Sequence, residues 1–286
     1  PTKNLLFTTE YRTGPTLGYH SFDVFRYNID SLHYYNTTRP YSDFTYQLGS
    51  KAEQVAKISH TQNINPRWNF GVEYRKINSP GFYKAQRTNH DNANLTTNYT
   101  GKNQRYQLFG ALTYNKEQHD ENGGITSDSF LTDAAFRDRK TVPVRFPNDG
   151  YSDKRSAVTA MQRDFSILLY HHYSLGRYDT LYNEDSSQYS IKLRPKFRIT
   201  HRFLLNNEKY QYKDLRPDSL RYTDFFQKNF TTGDSVFMAQ NWFYIDNSLL
   251  LNGFIGKANE QVSFNAGIGF RTDKFTTNYD VSSKSN

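Results

Sequence analysis

Cysteine is absent from all 286 residues, which excludes a disulfide framework and any thiolate-ligated metal or redox centre. No run of about 18 apolar residues occurs, so no helix is apolar enough to span a bilayer. No GxGxxG or Walker pattern is present to cradle a phosphate. No Gly/Ser-rich linker or block of like charge divides the chain, and residues 1–286 read as a single domain or a fragment of one. Tryptophan and methionine are scarce, at two each.

What is abundant is Tyr and Phe, 23 and 22 residues. Both suit strands, and a Tyr hydroxyl reaches water while its ring stays in an apolar layer. The chain is hydrophilic on average. That argues against helical spans only, because membrane strands alternate polar and apolar residues and average out. The net charge of +8 suits an anionic partner.

Period-2 alternation recurs. In "RWNFGVEYR", Trp68, Phe70, Val72 and Tyr74 oppose Asn69, Gly71, Glu73 and Arg75. In "QVSFNAGIGFR", Val262, Phe264, Ala266, Ile268 and Phe270 oppose Ser263, Asn265, Gly267, Gly269 and Arg271. "QRDFSILLYHHY" sets Phe165, Ile167 and Leu169 against Asp164 and Ser166, although Leu168 blurs the pattern. The count is roughly ten strands, each expected at about 9–11 residues. Short turns ("GSK", "NINPR", "GKN", "GKANE") coexist with long polar segments at about 77–91, 116–160 and 204–237. Short turns at one rim and long loops at the other are the pattern of an outer-membrane barrel.

The stretch "IKLRPKFRI" places Ile191, Leu193, Pro195, Phe197 and Ile199 against Lys192, Arg194, Lys196 and Arg198. Uninterrupted alternation would give one greasy and one cationic face. Pro195 removes a ladder hydrogen bond and signals an edge, a bulge or a strand end. A soluble sheet accommodates such a strand too. In a water-filled lumen, however, the four cations would set a positive field. Nucleic-acid binding needs rings and cations on one surface, and alternation here separates them.

The expected fold is all-β: an antiparallel transmembrane β-barrel with long polar loops, as an incomplete portion of a longer barrel. Arg75, Lys192, Arg194, Lys196, Arg198 and Arg271 are expected to line the pore. Trp68, Phe70, Val72, Tyr74, Phe264 and Ile268 are expected to face lipid. The start "PTKNLL" and the end "DVSSKSN" are expected to be cuts in a longer protein.

Catalytic and metal signals are weak. His119-Asp120-Glu121 does not match the alternating-acid calcium loop and reads as a solvated loop tip. His171 and His172 are adjacent and point to opposite faces of a strand, so they cannot chelate together. Nothing singles out a Ser/His/carboxylate set, and the reading is no enzyme, no metal and no cofactor. The basic segment "FRDRKTVPVRFPNDGYSDKR", 136–155, reads as a solvated extracellular loop, with a lumen constriction or a docking surface as the alternative.

The motifs "GSKAEQ", "QNINPRWNFGV", "INSPGFY", "TNHDN" and "ENGGI" resemble the Bacteroidetes-type putative porins. "DSLHYYNTTRPYSDFTY" at 30–46 is similar to the segment that leads into the barrel there, making residues 1–40 a lead-in. The resemblance covers about residues 18–130 with specific motifs and the remainder more loosely. It implies a β-barrel in a Gram-negative outer membrane. The expected function is a porin-like channel for passive diffusion of small hydrophilic solutes, favouring anions. The rival is a plugged or partner-occupied barrel serving as a structural component of an outer-membrane envelope or secretion complex. Expected partners are outer-membrane lipid, small hydrophilic solutes and other envelope proteins at the long loops, with no nucleic acid.

Overall fold

The computed structural model describes residues 15–282 apart from 19, 50–51, 153–154, 183–188, 219–221, 223–226, 228, 232 and 258–259. The described residues form one antiparallel sheet of nine strands in chain order. These are β1 (Tyr41–Leu48), β2 (Gln54–Asn65), β3 (Trp68–Ser79), β4 (Thr88–Thr100), β5 (Tyr106–Glu121), β6 (Val158–Tyr182), β7 (Tyr189–Asp214), β8 (Ser235–Lys257) and β9 (Glu260–Ser282). Of the expected incomplete barrel, the all-β antiparallel wall is present; among the described residues β1 pairs only with β2 and β9 only with β8, so this sheet is open and not closed.

Strand lengths also depart from expectation, since β6–β9 run 23–26 residues. Residues of the expected long loops are taken up as strand ends. Residues 116–121, 158–160 and 204–214 lie in β5, β6 and β7, leaving connectors at 80–87, 122–157 and 215–234. These three and the turn after β1 fall at one rim. The tight connections at 66–67 and 101–105 fall at the other, where Tyr182 also pairs with Tyr189. The "GSK" and "GKANE" turns lie partly outside the described residues.

The two faces differ sharply. Following the register from strand to strand, one row on the outer face reads Phe70, Thr97, Gly110, Leu169, Phe203, Asn247, Phe270. Exposure of this face is high for apolar residues: Phe44 67%, Phe270 71%, Ile268 75%. A soluble monomer rarely presents so broad an apolar surface. On β6 the outer apolar and aromatic positions run from Phe165 to Leu175, with His171 among them. That is about 33 Å along the strand, or about 25 Å of height at a 40° tilt, the height of a lipid-facing band.

The basic loop 136–155 folds onto its own rim. Lys140 Nζ donates to the carbonyls of Pro80 (2.6 Å) and Tyr83 (3.0 Å), and Val142 is fully buried. His119-Asp120-Glu121 is not a loop tip as expected: it ends β5, with His119 and Asp120 buried, because β5 continues in register with β6 as far as Glu121.

Candidate functional site

The inner face is defined by what covers it. Residues 15–37, part of the expected lead-in, do not simply approach β1; they lie across β2 to β8. Leu17 is fully buried against Ala160, Tyr210 and Trp242. Gly18 follows with φ +61, and a Cβ there would meet the Tyr210 ring at 2.1 Å, so both the turn and the close approach require glycine. A 3-10 helix, His20–Phe25, sets Phe22 against His90 and His119, at ring separations of 5.3 and 4.5 Å. A second, Ile29–Ser31, is capped by the Asn28 side chain and seats Ile29 among Ala111, Leu168 and Leu204. The segment leaves at the short-turn rim, where Asn63 Oδ1 accepts from the Thr37 amide (3.2 Å) and Asn98 Nδ2 donates to the Tyr35 carbonyl (3.1 Å).

Arg26 is the centre of this arrangement. Its guanidinium donates to Asp164 Oδ1 (2.5 and 3.0 Å), to Glu208 Oε1 (3.3 Å) and to Asp23 Oδ1 (3.2 Å), and stands 3.9 Å from Glu117. Glu117, Asp164 and Glu208 are all buried on three adjacent strands. Burial works to lower the Arg26 pKa, but Asp164, Glu208, Glu117 and Asp23 outweigh it and raise it, so the charge is permanent. Asn115 supports the cluster by donating to Asp164 Oδ2 (3.1 Å) and to the Tyr27 carbonyl (3.0 Å). The Tyr27 hydroxyl donates to Glu73; burial first, then this bond, push its pKa up and keep it a donor.

Beside the segment lies a cavity of about 420 Å³. Lys57, Arg75, Thr61, Asn94 and Thr96 line it, with Glu73 the one carboxylate among the described lining residues. Among the described residues no group of three or more His, Cys, Asp or Glu is placed to hold a metal ion.

The expected site residues distribute as follows. Arg75 is on the inner face, donates to the Phe25 carbonyl and lies 4.7 Å over the Tyr27 ring. Arg271 is on the inner face, bonded to Asp273 (2.9 Å) and 4.1 Å over the Tyr244 ring. The four cations of 191–199 do not share a face, which corrects the uninterrupted alternation. Leu175 pairs with Phe197 and Gly176 with Pro195, so Lys196 is the extra residue of a bulge. Arg198 falls on the inner face opposite Ser174, whereas Arg194 and Lys192 fall, with Arg177 and Asp179, on the face of Leu175. Proline without an N–H and Gly176 together make the bulge: a Cβ at 176 would sit 1.9 Å from the Arg194 carbonyl oxygen. Trp68, Phe70, Val72, Tyr74, Phe264 and Ile268 lie on the outer face. His171 and His201 also meet there, 3.0 Å apart across β6 and β7, while His172 is buried on the inner face.

A family model described as putative porin matches residues 1–286. The chain belongs to the putative porin family. It is a typically non-enzymatic family, and the two-faced antiparallel sheet of this porin-family chain suits it. No curated protein matches the sequence.

Arg26, Glu73, Glu117, Asp164 and Glu208 were missed as site residues. Asp164 was assigned to the polar face by alternation, but the guanidinium that meets it lies 138 residues away in sequence.

Proposed function

We propose that this chain forms the wall of an outer-membrane channel for small hydrophilic solutes, and that segment 15–37 narrows its lumen. The observation that carries the proposal is the docking of that segment on a polar face whose reverse carries an apolar band. Passage runs through the cavity between the segment and β2–β4, where Lys57 and Arg75 against Glu73 favour anions. Arg75, Arg198 and Arg271 face the lumen; Trp68, Phe70, Val72, Tyr74, Phe264 and Ile268 face lipid. Location in a Gram-negative outer membrane rests on the family description. Lipid demands that the free edges of β1 and β9 be paired, so closure by further strands is part of the proposal.

A second reading has a specific observation in its favour. The segment already occupies the inner face, which suits a closed wall acting as a structural component of an envelope complex, contacting other envelope proteins through the long loops. Conductance of the full-length protein in a planar bilayer under a salt gradient separates the two. Discrete steps with an anion-selective reversal potential support the channel. A folded, inserted protein without conductance refutes it and leaves the occupied wall.

A further inference from the structure

The outer face carries a feature that neither solute passage nor segment docking uses. One register row just above the apolar band reads Lys76, Asp91, Lys116, Arg163, Lys209 from β3 to β7. The row beneath it, Tyr74, Ala93, Tyr114, Phe165, is largely aromatic. Lys76 is matched, since its Nζ lies 2.7 Å from Asp91 Oδ1, which also accepts from the Tyr74 hydroxyl (2.8 Å). Lys116 stands opposite the same Asp91 across β4 and β5 and shares its charge with Lys76, whereas Arg163 and Lys209 have no carboxylate opposite them. Lys116, Arg163 and Lys209 are direct cross-strand partners, and like charges directly opposite on a sheet destabilise it. The positions flanking Arg163 and Lys209 in register are Tyr114, Gln118, Asn207, Gln211, Phe165, Met161, Phe243 and Ala239, with no carboxylate. Arg163 reaches Gln211 at 3.4 Å, a neutral partner.

Three cations thus stand at a spacing of roughly 4.8 Å on the outward face, at the border of the band and on the side of the long loops. Asp91 is shared between Lys76 and Lys116, so the anion that compensates Arg163 and Lys209 has to come from outside the sheet. Its height fixes the source: directly above an aromatic row and a lipid-facing surface, the groups that meet these side chains are headgroups. We infer that Lys116, Arg163 and Lys209 form a binding stripe for the phosphate groups of an anionic lipid in the leaflet on the long-loop side. Arg163 supplies a planar fork for two phosphate oxygens, and the lysines add point charges on either side. The inference rests on the membrane-wall reading of the preceding section.

The test uses the full-length protein in mixed micelles and vesicles, with lipid A as probe and dephosphorylated lipid A as its control. Insertion is measured first, by flotation with vesicles. Expected is binding of lipid A at least tenfold tighter than the dephosphorylated form at about 0.1 M salt, weakening as salt rises. The Lys116→Gln/Arg163→Gln/Lys209→Gln variant should float normally and lose up to about a hundredfold in affinity. Lys102→Gln, on the short-turn rim, should bind as the parent does. Equal binding of the two lipids, an unaffected triple variant, or an equal loss in Lys102→Gln overturns the stripe. Full displacement by millimolar inorganic phosphate overturns the assignment to lipid. A protein that does not float overturns the wall and the stripe together, which distinguishes that failure from the others.

Discussion

Replacing Arg26 by Gln tests what holds segment 15–37 in place. The substitution leaves a shorter polar side chain with two N–H donors in place of five and removes the charge that Glu117, Asp164 and Glu208 share. Each of these three residues is at most 6% exposed. Removing one partner of a buried ion cluster costs about 3–5 kcal/mol, because the remaining charges stay desolvated. Undocking rehydrates all three carboxylates, so the cost falls on the docked state alone. At about 1.4 kcal/mol per decade, the undocked fraction rises by a factor of roughly 150 to 4,000. The assay is thiol labelling of Ile29→Cys, which is unambiguous in a chain with no native cysteine. Ile29 is 9% exposed, and its labelling rate should climb with the undocked fraction. Single-channel conductance should rise in parallel, and Arg26→Lys should restore part of the shielding. An Arg26→Gln protein that inserts, keeps Ile29→Cys shielded and conducts as before would refute the ion cluster as the lock.

Three further outcomes are expected. Gly18→Val, which forces a side chain into the Tyr210 ring at a φ of +61, should release the start of the segment and expose Leu17; protease sensitivity N-terminal to His20 reports it. Leu169→Arg, in the middle of the outer band, should lower folding stability in bilayers by about 2–4 kcal/mol, whereas Gln118→Arg above the band should cost under about 1 kcal/mol, as read by urea unfolding in vesicles. Gly176→Val should break the β6–β7 pairing at the bulge, and amide exchange should quicken around 174–178 and 193–198 while β2–β4 stay protected.

Alternation carried the two-faced sheet, because the period of 2 is a local property written within each strand. It failed where a residue was counted twice or not at all. In 191–199 the extra Lys196 flips the parity of everything before it, and only the partner strand reveals that; Pro195 was the one local sign. Leu168 looked like noise in "QRDFSILLYHHY" but is an inner position that packs on Ile29, as Leu204 does. An apolar residue on a polar face marks something docked there, although the occupant lies far away in sequence. Closure was not legible at all, since it depends on which strands are neighbours at the edges and alternation says nothing of that.

The contacts of Arg26 also constrain the order of assembly. Its partners stand 138 and 182 residues further along the chain, so the latch cannot close until β6 and β7 have been added to the sheet. Contacts this remote form late, after the local hairpins that join neighbouring strands. Until then the guanidinium has only Asp23 of its own segment and Glu117 of β5 to meet, and the segment lacks the β6–β8 positions on which Leu17 and Ile29 seat. A single early residue thereby reports on the completion of most of the wall, and a truncated or misregistered sheet would be left with its segment unfastened.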